Sequence, residues 1–327
     1  MIEFPGFIEL QQNGYLGVDF SDQSLTEEDF VKVSKKLLSK GIGAFVATII
    51  TSSEETYRRN LPLMARAIKS PELQGRVLGI HAEGPFLSSK PGAIGAHNPD
   101  WVKKPGIEFF KQMQEWAEGN IRILTLAAEN EGAVELTKYA AENGVAVSLG
   151  HQMAGYEDMK RCAEAGATLL THLGNGIPNE IDRHKNQICS GLACNGLTAM
   201  IITDGHHLPP ELIKVIIRAK GLDNTLFVSD ASPIAGMPPG KYFVLGNNAI
   251  IEENGLLHNP EKRCLVGSSA TMFECANFLA AQDFITPEEV VQLGFANPLK
   301  AIGIAPEAFT APCRVYWDEV KSKFICS

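Results

Sequence analysis

Short apolar, β-branched runs recur along the chain at Gly6–Leu10, Ala44–Ile50, Val77–Ala82, Ile121–Ala127, Val145–Leu149, Thr168–Thr171, Ala199–Thr203 and Leu226–Ser229. Continuous apolar runs of this length suit parallel strands buried on both faces. Between them, Thr26–Ser39, Ser53–Ile68, Glu131–Glu142, Tyr156–Ala165 and Pro210–Ala219 read as helices. Their start signals are Ser24-Leu-Thr-Glu-Glu, Ser52-Ser-Glu-Glu and Pro209-Pro-Glu. Eight strands alternating with helices predict an α/β chain folded as a (β/α)8 TIM-type barrel.

Polar residues cluster where the runs end: Gln11 and Asn13, Thr51, Glu83, Glu129, His151, His172, Asp204 with His206 and His207, and Asp230. In such a barrel the C-terminal strand ends meet on one face, which carries the active site. Glu83, His151 and His172 form a mixed nitrogen and oxygen set that suits a first-row divalent ion with one position left for water. The ordinary reading of each is a buried polar residue satisfied by hydrogen bonds. Asp230, last in the ring, can act as general acid and base beside that water, although Ser-Asp-Ala-Ser-Pro is also good turn chemistry. His81 points to the same side as Glu83 and is either a neighbour of the metal site or simply buried.

Two connections are long. Residues 85–108, rich in Gly and Pro, read as a loop covering the substrate, and residues 231–267 contain alternating apolar positions that predict a hairpin. Thr286–Ile302 is expected to be helical and Arg314–Cys326 to form a short hairpin. The domain reading is therefore a barrel over 1–304 with two loop insertions, followed by a hairpin over 305–327.

Composition narrows the function classes. The 327 residues carry 29 Lys and Arg against 38 Asp and Glu, a net charge of -9 that disfavours a nucleic-acid partner. No apolar run reaches the ~18 residues of a membrane span, and the N-terminus has no secretory pattern. Seven scattered cysteines without Cys-x-x-Cys suit reduced thiols, so a cytoplasmic setting is expected. No glycine pattern marks a dinucleotide site.

The motifs themselves carry a resemblance. Pro5-Gly-Phe-Ile-Glu-Leu-Gln-Gln-Asn-Gly, His81-Ala-Glu-Gly-Pro-Phe, Gly95-Ala-His-Asn-Pro, Leu149-Gly-His, Thr171-His-Leu-Gly-Asn, Thr203-Asp-Gly-His-His, Val228-Ser-Asp-Ala and Gly267-Ser-Ser-Ala-Thr-Met occur in that order. Together the sequence resembles the N-acetylglucosamine-6-phosphate deacetylases of the amidohydrolase superfamily, over about residues 5–304. The resemblance implies deacetylation of N-acetylglucosamine 6-phosphate, a small-molecule amino sugar phosphate, to glucosamine 6-phosphate and acetate. It implies one divalent metal ion, zinc first among the candidates, on Glu83, His151 and His172. Gln11 and Asn13 stand where relatives with two metals place His-x-His, so a mononuclear site is implied. Asp230 matches the general acid and base, and His97 a histidine that contacts the sugar or its amide carbonyl. Asn175, Gly176 and His207 match substrate-binding positions. Arg183, eleven residues after His172, matches an arginine on the phosphate, in its own or a neighbouring subunit of a homo-oligomer.

The chain also departs from the family. Asn175-Gly-Ile replaces the usual Asn-Ala-Met, and Asp182-Arg-His-Lys-Asn does not follow the usual pattern around the arginine. Strand one begins close to Met1, so most of the family's accessory β-domain is expected to be missing, with the C-terminal hairpin as its remnant. These departures leave open an amidohydrolase for another N-acyl or cyclic amide substrate, or a non-catalytic sugar-phosphate-binding barrel. From the residues alone, a metal-free barrel lyase or isomerase stays open too.

Overall fold

The computed structural model describes residues 2–326. Eight parallel strands form the sheet: β1 (Phe7–Gln12), β2 (Ile42–Ile50), β3 (Val77–Glu83), β4 (Ile121–Leu126), β5 (Ala146–Leu149), β6 (Ala167–Leu170), β7 (Thr198–Ile202) and β8 (Thr225–Val228). They pair in chain order from β1 to β8. Between β8 and β1 the ring closes through a parallel bridge of Gln12 and Ala231, with the Asn13 N–H donating to the Ala231 carbonyl at 3.1 Å. The fold is the (β/α)8 barrel that the apolar runs predict. Every residue of β1, β2 and β8 is buried, which is why those runs show no polar alternation.

Eight helices complete the units: Glu27–Leu38, Glu54–Ile68, Ile107–Trp116, Ala133–Glu142, Tyr156–Glu164, Gln187–Ala193, Pro210–Lys220 and Met272–Ala280. Caps form within the two serine-led start signals, Thr26 accepting from the Asp29 N–H and Ser53 from the Thr56 N–H. Three helices were not anticipated. Ile107–Trp116 follows a Pro-rich stretch and has no side-chain cap at Gly106. Gln187–Ala193 is seven residues long and includes Gly191, whose Cβ would lie 2.8 Å from Leu173. Met272–Ala280 starts from a capping box of Thr271 and Glu274 inside a segment read only for its motif.

The insertion after β8 is more than a hairpin. It is a four-stranded antiparallel sheet, β9 (Gly240–Val244), β10 (Asn247–Ile251), β11 (Leu257–Asn259) and β12 (Cys264–Leu265). Ile234, Val244, Ala249, Ile251, Leu257 and Val266 give it an apolar core separate from that of the barrel. At the opposite end of the barrel, Glu3–Phe4 pairs with Val315–Asp318, which pairs in turn with Lys323–Cys326. Phe4 and Phe324 from this sheet meet Phe7 of β1 at ring-centroid distances of 4.9 and 5.2 Å, so aromatic packing fills the barrel floor. Among the described residues no helix is long and apolar enough to cross a membrane.

Candidate metal and active site

Glu83, His151, His172 and Asp230 follow or end β3, β5, β6 and β8, on the face where the C-terminal strand ends meet. Three of them hold a backbone that side chains other than glycine avoid: φ is 51° at His151, 32° at His172 and 49° at Asp230. Each such position costs ~1–3 kcal/mol and turns the chain sharply at the strand end, aiming the side chain into the barrel mouth. Strain at three of the four converging positions marks a site maintained against local preference.

The converging atoms are close. His172 Nε2 lies 3.1 Å from both Glu83 Oε1 and His151 Nε2, and His151 Nε2 lies 3.3 Å from Glu83 Oε1. Ligand atoms on the edges of a tetrahedron around one zinc-sized ion stand ~3.3 Å apart. His97, from the loop after β3, brings its Nε2 to 3.1 Å from His151 Nε2 and 3.9 Å from Glu83 Oε2, so Glu83, His97 and His151 offer ligand atoms within 4.8 Å of one another as well. Hydrogen bonding separates the roles of the two rings. His151 Nδ1 donates to the Ala93 carbonyl at 2.7 Å, so its Nε2 carries a lone pair. His97 Nδ1 instead accepts from the Thr51 N–H at 3.3 Å, so its neutral ring carries the proton on Nε2. A lone pair and a carboxylate facing each other are stabilised by a cation between them. Glu83, His151 and His172 can hold that cation, whereas His97 presents a donor.

The charge states follow from burial and neighbours. Burial alone would raise the Glu83 carboxyl, but the imidazoles crowded against it hold it well below the usual range. Burial, with the crowding of His151, pushes His97 down to about 3, so its ring is neutral. Asp230 is raised to about 6 by burial and by repulsion from Glu83, with His172, His207 and a bond from Asn13 working the other way. Asn13 Nδ2 donates to Asp230 Oδ1 at 2.8 Å, and Gln11 Nε2 to Glu83 Oε1 at 2.8 Å. Gln11 and Asn13 thus each hold one of the two carboxylates.

These groups line a cavity of about 600 Å³ that also includes Asn175, Gly176 and His207. Gly176 has φ +61°, and a Cβ there would stand 2.9 Å from His151 and 3.1 Å from His172, so the loop passes over the cluster only without a side chain. His207 donates from Nδ1 to Asp204 at 2.8 Å, a bond that fixes the ring. Arg183 is placed elsewhere: it is exposed in its own chain and is not part of the cavity lining. His81 donates from Nδ1 to the Leu10 carbonyl and accepts at Nε2 from Thr125, so it is a buried member of the barrel interior. Glu129 accepts from the Met153 N–H at 2.7 Å outside this cavity.

The family model described as amidohydrolase family matches residues 2–308. This chain belongs to the amidohydrolase family. The amidohydrolase is 30% identical over 304 residues to N-acetylglucosamine-6-phosphate deacetylase from Bacillus subtilis (strain 168), covering 92% of this chain and 75% of the relative. It is 31% identical to the Danio rerio protein of the same name, covering 92% and 75%. Among solved structures, a point mutant of N-acetyl-D-glucosamine-6-phosphate deacetylase from Mycobacterium smegmatis in complex with N-acetyl-D-glucosamine-6-phosphate superposes with a TM-score of 0.88 at 25% identity. That match covers 98% of this chain and 84% of the neighbour.

Some residues that shape the amidohydrolase site were invisible in the sequence. Asn247 of β10 donates from Nδ2 to the Ala96 carbonyl at 2.9 Å, bracing the residue before His97, and accepts from Asn259 at 3.2 Å. Glu9, inside β1, accepts at Oε2 from the Ser229 N–H at 2.8 Å and from the Ser229 hydroxyl, which anchors the residue preceding Asp230. Only the odd appearance of a carboxylate within the apolar run Phe7–Leu10 hints at that role.

Burial raises Glu9 from 4.5 to about 7 despite its three hydrogen bonds. The folded carboxyl keeps its proton up to about pH 7, whereas the unfolded one releases it near 4.5. The associated stability is full below 4.5 and lost as pH rises through 7. Unfolding free energy in urea should therefore fall by on the order of 3 kcal/mol between pH 5 and 8, and Glu9→Gln should flatten that dependence. Parallel curves for the two proteins would refute the assignment.

Proposed function

We infer that this amidohydrolase is a metal-dependent deacetylase of N-acetylated amino sugar phosphates, acting on N-acetylglucosamine 6-phosphate to give glucosamine 6-phosphate and acetate. The observation that carries the reading is the opposed protonation of His97 and His151, a donor and a lone pair side by side over Glu83 and next to Asp230. Amide hydrolysis needs that combination: a cation held at one point and a neutral donor for the carbonyl oxygen beside it. The relatives act on this substrate by name, and a neighbour with the same fold binds it.

Glu83, His151 and His172 would hold one divalent ion, zinc first among the first-row candidates that accept such a ligand set. When bound, the ion supplies Lewis acidity to the amide carbonyl and to the water that attacks it. Asp230, ionised above about pH 6 and steadied by Asn13, takes the proton of the attacking water. His97 donates from Nε2 to the carbonyl oxygen as negative charge develops there. Asp230 then returns its proton to the departing amine, so the products are acetate and the free amino sugar. Asn175, the backbone at Gly176, and His207 braced by Asp204 orient the sugar. A cytoplasmic setting suits the exposed free thiols of Cys189 and Cys326.

Acetate release from N-acetylglucosamine 6-phosphate, measured with metal content on the same sample, tests the reading. We expect stoichiometric acetate and free amine, with about one first-row ion per chain. A protein that binds the sugar phosphate yet releases no acetate would instead be a binding barrel.

A further inference from the structure

Inside the barrel runs a chain of side-chain hydrogen bonds that no step of the proposed reaction uses. It leads from His81 in β3 through Thr125 in β4 and Thr171 after β6 to Ser148 in β5, and none of the four is more than 2% exposed. His81 Nδ1 lies 3.2 Å from the Leu10 carbonyl of β1, and its Nε2 lies 2.7 Å from Thr125 Oγ1. Thr125 Oγ1 is 2.8 Å from Thr171 Oγ1, which is 2.5 Å from Ser148 Oγ. Neither His81 nitrogen is bonded to a carboxylate, so the buried ring is neutral. A carbonyl only accepts, which puts the ring proton on Nδ1 and makes Nε2 the acceptor of the Thr125 hydroxyl. Thr125 has then given its one proton and accepts from Thr171, and Thr171 in turn accepts from Ser148. The Leu10 carbonyl thus fixes the direction of every hydrogen in the chain.

The chain meets the backbone beside each of the three ligand candidates. Thr171 directly precedes His172. Gly150 directly precedes His151, and a Cβ there would stand 2.6 Å from Thr171 Cβ and 3.4 Å from Thr125 Cγ2. Thr125 pairs in register with Glu83, and its carbonyl accepts from the Gly84 N–H at 3.2 Å. The strands joined through β4 are therefore β3, β5 and β6, which lead into Glu83, His151 and His172. His151 and His172 hold φ of 51° and 32°, backbones that persist only where the surroundings over-determine them.

We propose that the chain of His81, Thr125, Thr171 and Ser148 positions the metal ligands, locking the ends of β3, β5 and β6 in the register that sets ion affinity. The proposal rests on the metal reading above. With one proton order allowed, a register shift leaves a buried hydroxyl or imidazole nitrogen unmet, which costs about 1–3 kcal/mol. Hydrogen bonds that orient ligands from outside the coordination shell typically change affinity by about 10- to 100-fold when removed. Hydroxyls that merely fill a polar layer would change the stability of the fold and leave the ion alone.

The test compares wild type, Thr125→Val and Thr125→Ser. The Kd for zinc is measured by competition with a coloured chelator, the visible absorption of bound cobalt(II) reads ligand geometry, and the metal-free melting temperature reads the fold. Thr125→Val keeps the shape of the side chain and breaks the chain at its centre. It should weaken zinc by about 10- to 100-fold and alter the cobalt spectrum, while Thr125→Ser, which restores the hydroxyl, stays within about threefold of wild type. Thr125→Val with zinc affinity within about twofold and an unchanged cobalt spectrum, whatever its melting temperature, would overturn the proposal. Equal weakening in Thr125→Ser would do the same, since packing of the methyl group would then be the cause. Should Thr125→Val fail to fold, Ser148→Ala decides, because it removes only the outer donor. Weakening by about threefold or more upholds the proposal, and unchanged affinity sinks it. If wild type binds neither zinc nor cobalt, the metal reading fails and this one falls with it, whereas an ion held equally by wild type and Thr125→Val sinks this one alone.

Discussion

Asp230→Asn should lower kcat by about 10²- to 10⁴-fold while bound metal stays at the wild-type level. Asn has the shape of Asp and can still meet Asn13, but it neither takes a proton from water nor gives one to an amine. The pH profile supplies a second signature. A general base works only when ionised, and burial together with Glu83 raises Asp230 to about 6. The rate should therefore drop as pH falls below about 6, and a cation at the cluster moves that limb lower by favouring the carboxylate. Residual activity of Asp230→Asn should lack the limb. The same raised value means that the ionised carboxyl opposes folding above pH 6, so the variant should be at least as stable as wild type at pH 8. A variant with near-normal turnover would remove Asp230 from the mechanism.

Glu83→Gln should lose the metal, from about one ion per chain to a level near zero after dialysis. The change removes the one anionic ligand and leaves two neutral imidazoles, which hold a divalent ion far less tightly. An ion that binds the folded chain alone stabilises it by a few kcal/mol when well above its dissociation constant. A chelator should thus lower the melting temperature of wild type and leave that of Glu83→Gln unchanged. His97→Gln is the informative control. If His97 is a donor to the carbonyl, this variant keeps its metal while kcat falls by about 10²- to 10³-fold. Loss of metal from His97→Gln would place that ring among the ligands and undo the protonation argument.

The barrel was legible because parallel strands covered on both faces leave unbroken apolar runs, and β3, β5 and β8 were located to within a residue or so at each end. The positions that converge at the mouth were legible for a related reason. A strand that ends at Glu83, or just before His151 or Asp230, gives way from apolar packing to chemistry at the one face where such groups meet. What lay beyond sequence depended on distant partners. The tautomer of His97 is set by the N–H of Thr51, 46 residues earlier in the chain, and no spacing encodes that bond. Ile107–Trp116 buries only Phe110 and Met113, too little periodicity to stand out beside a Pro-rich loop.

The inserted sheet packs around its own apolar residues and contributes no side chain to the cluster of Glu83, His151, His172 and Asp230. It touches the chemistry through Asn247 beneath the His97 loop, and it presents Arg263 to the mouth. The barrel and this cassette can therefore be varied independently. Grafting another β9–β12 module between Ala231 and Gly267, with Asn247 retained, would reprogram which acylated compound enters while the bond-breaking groups stay in register.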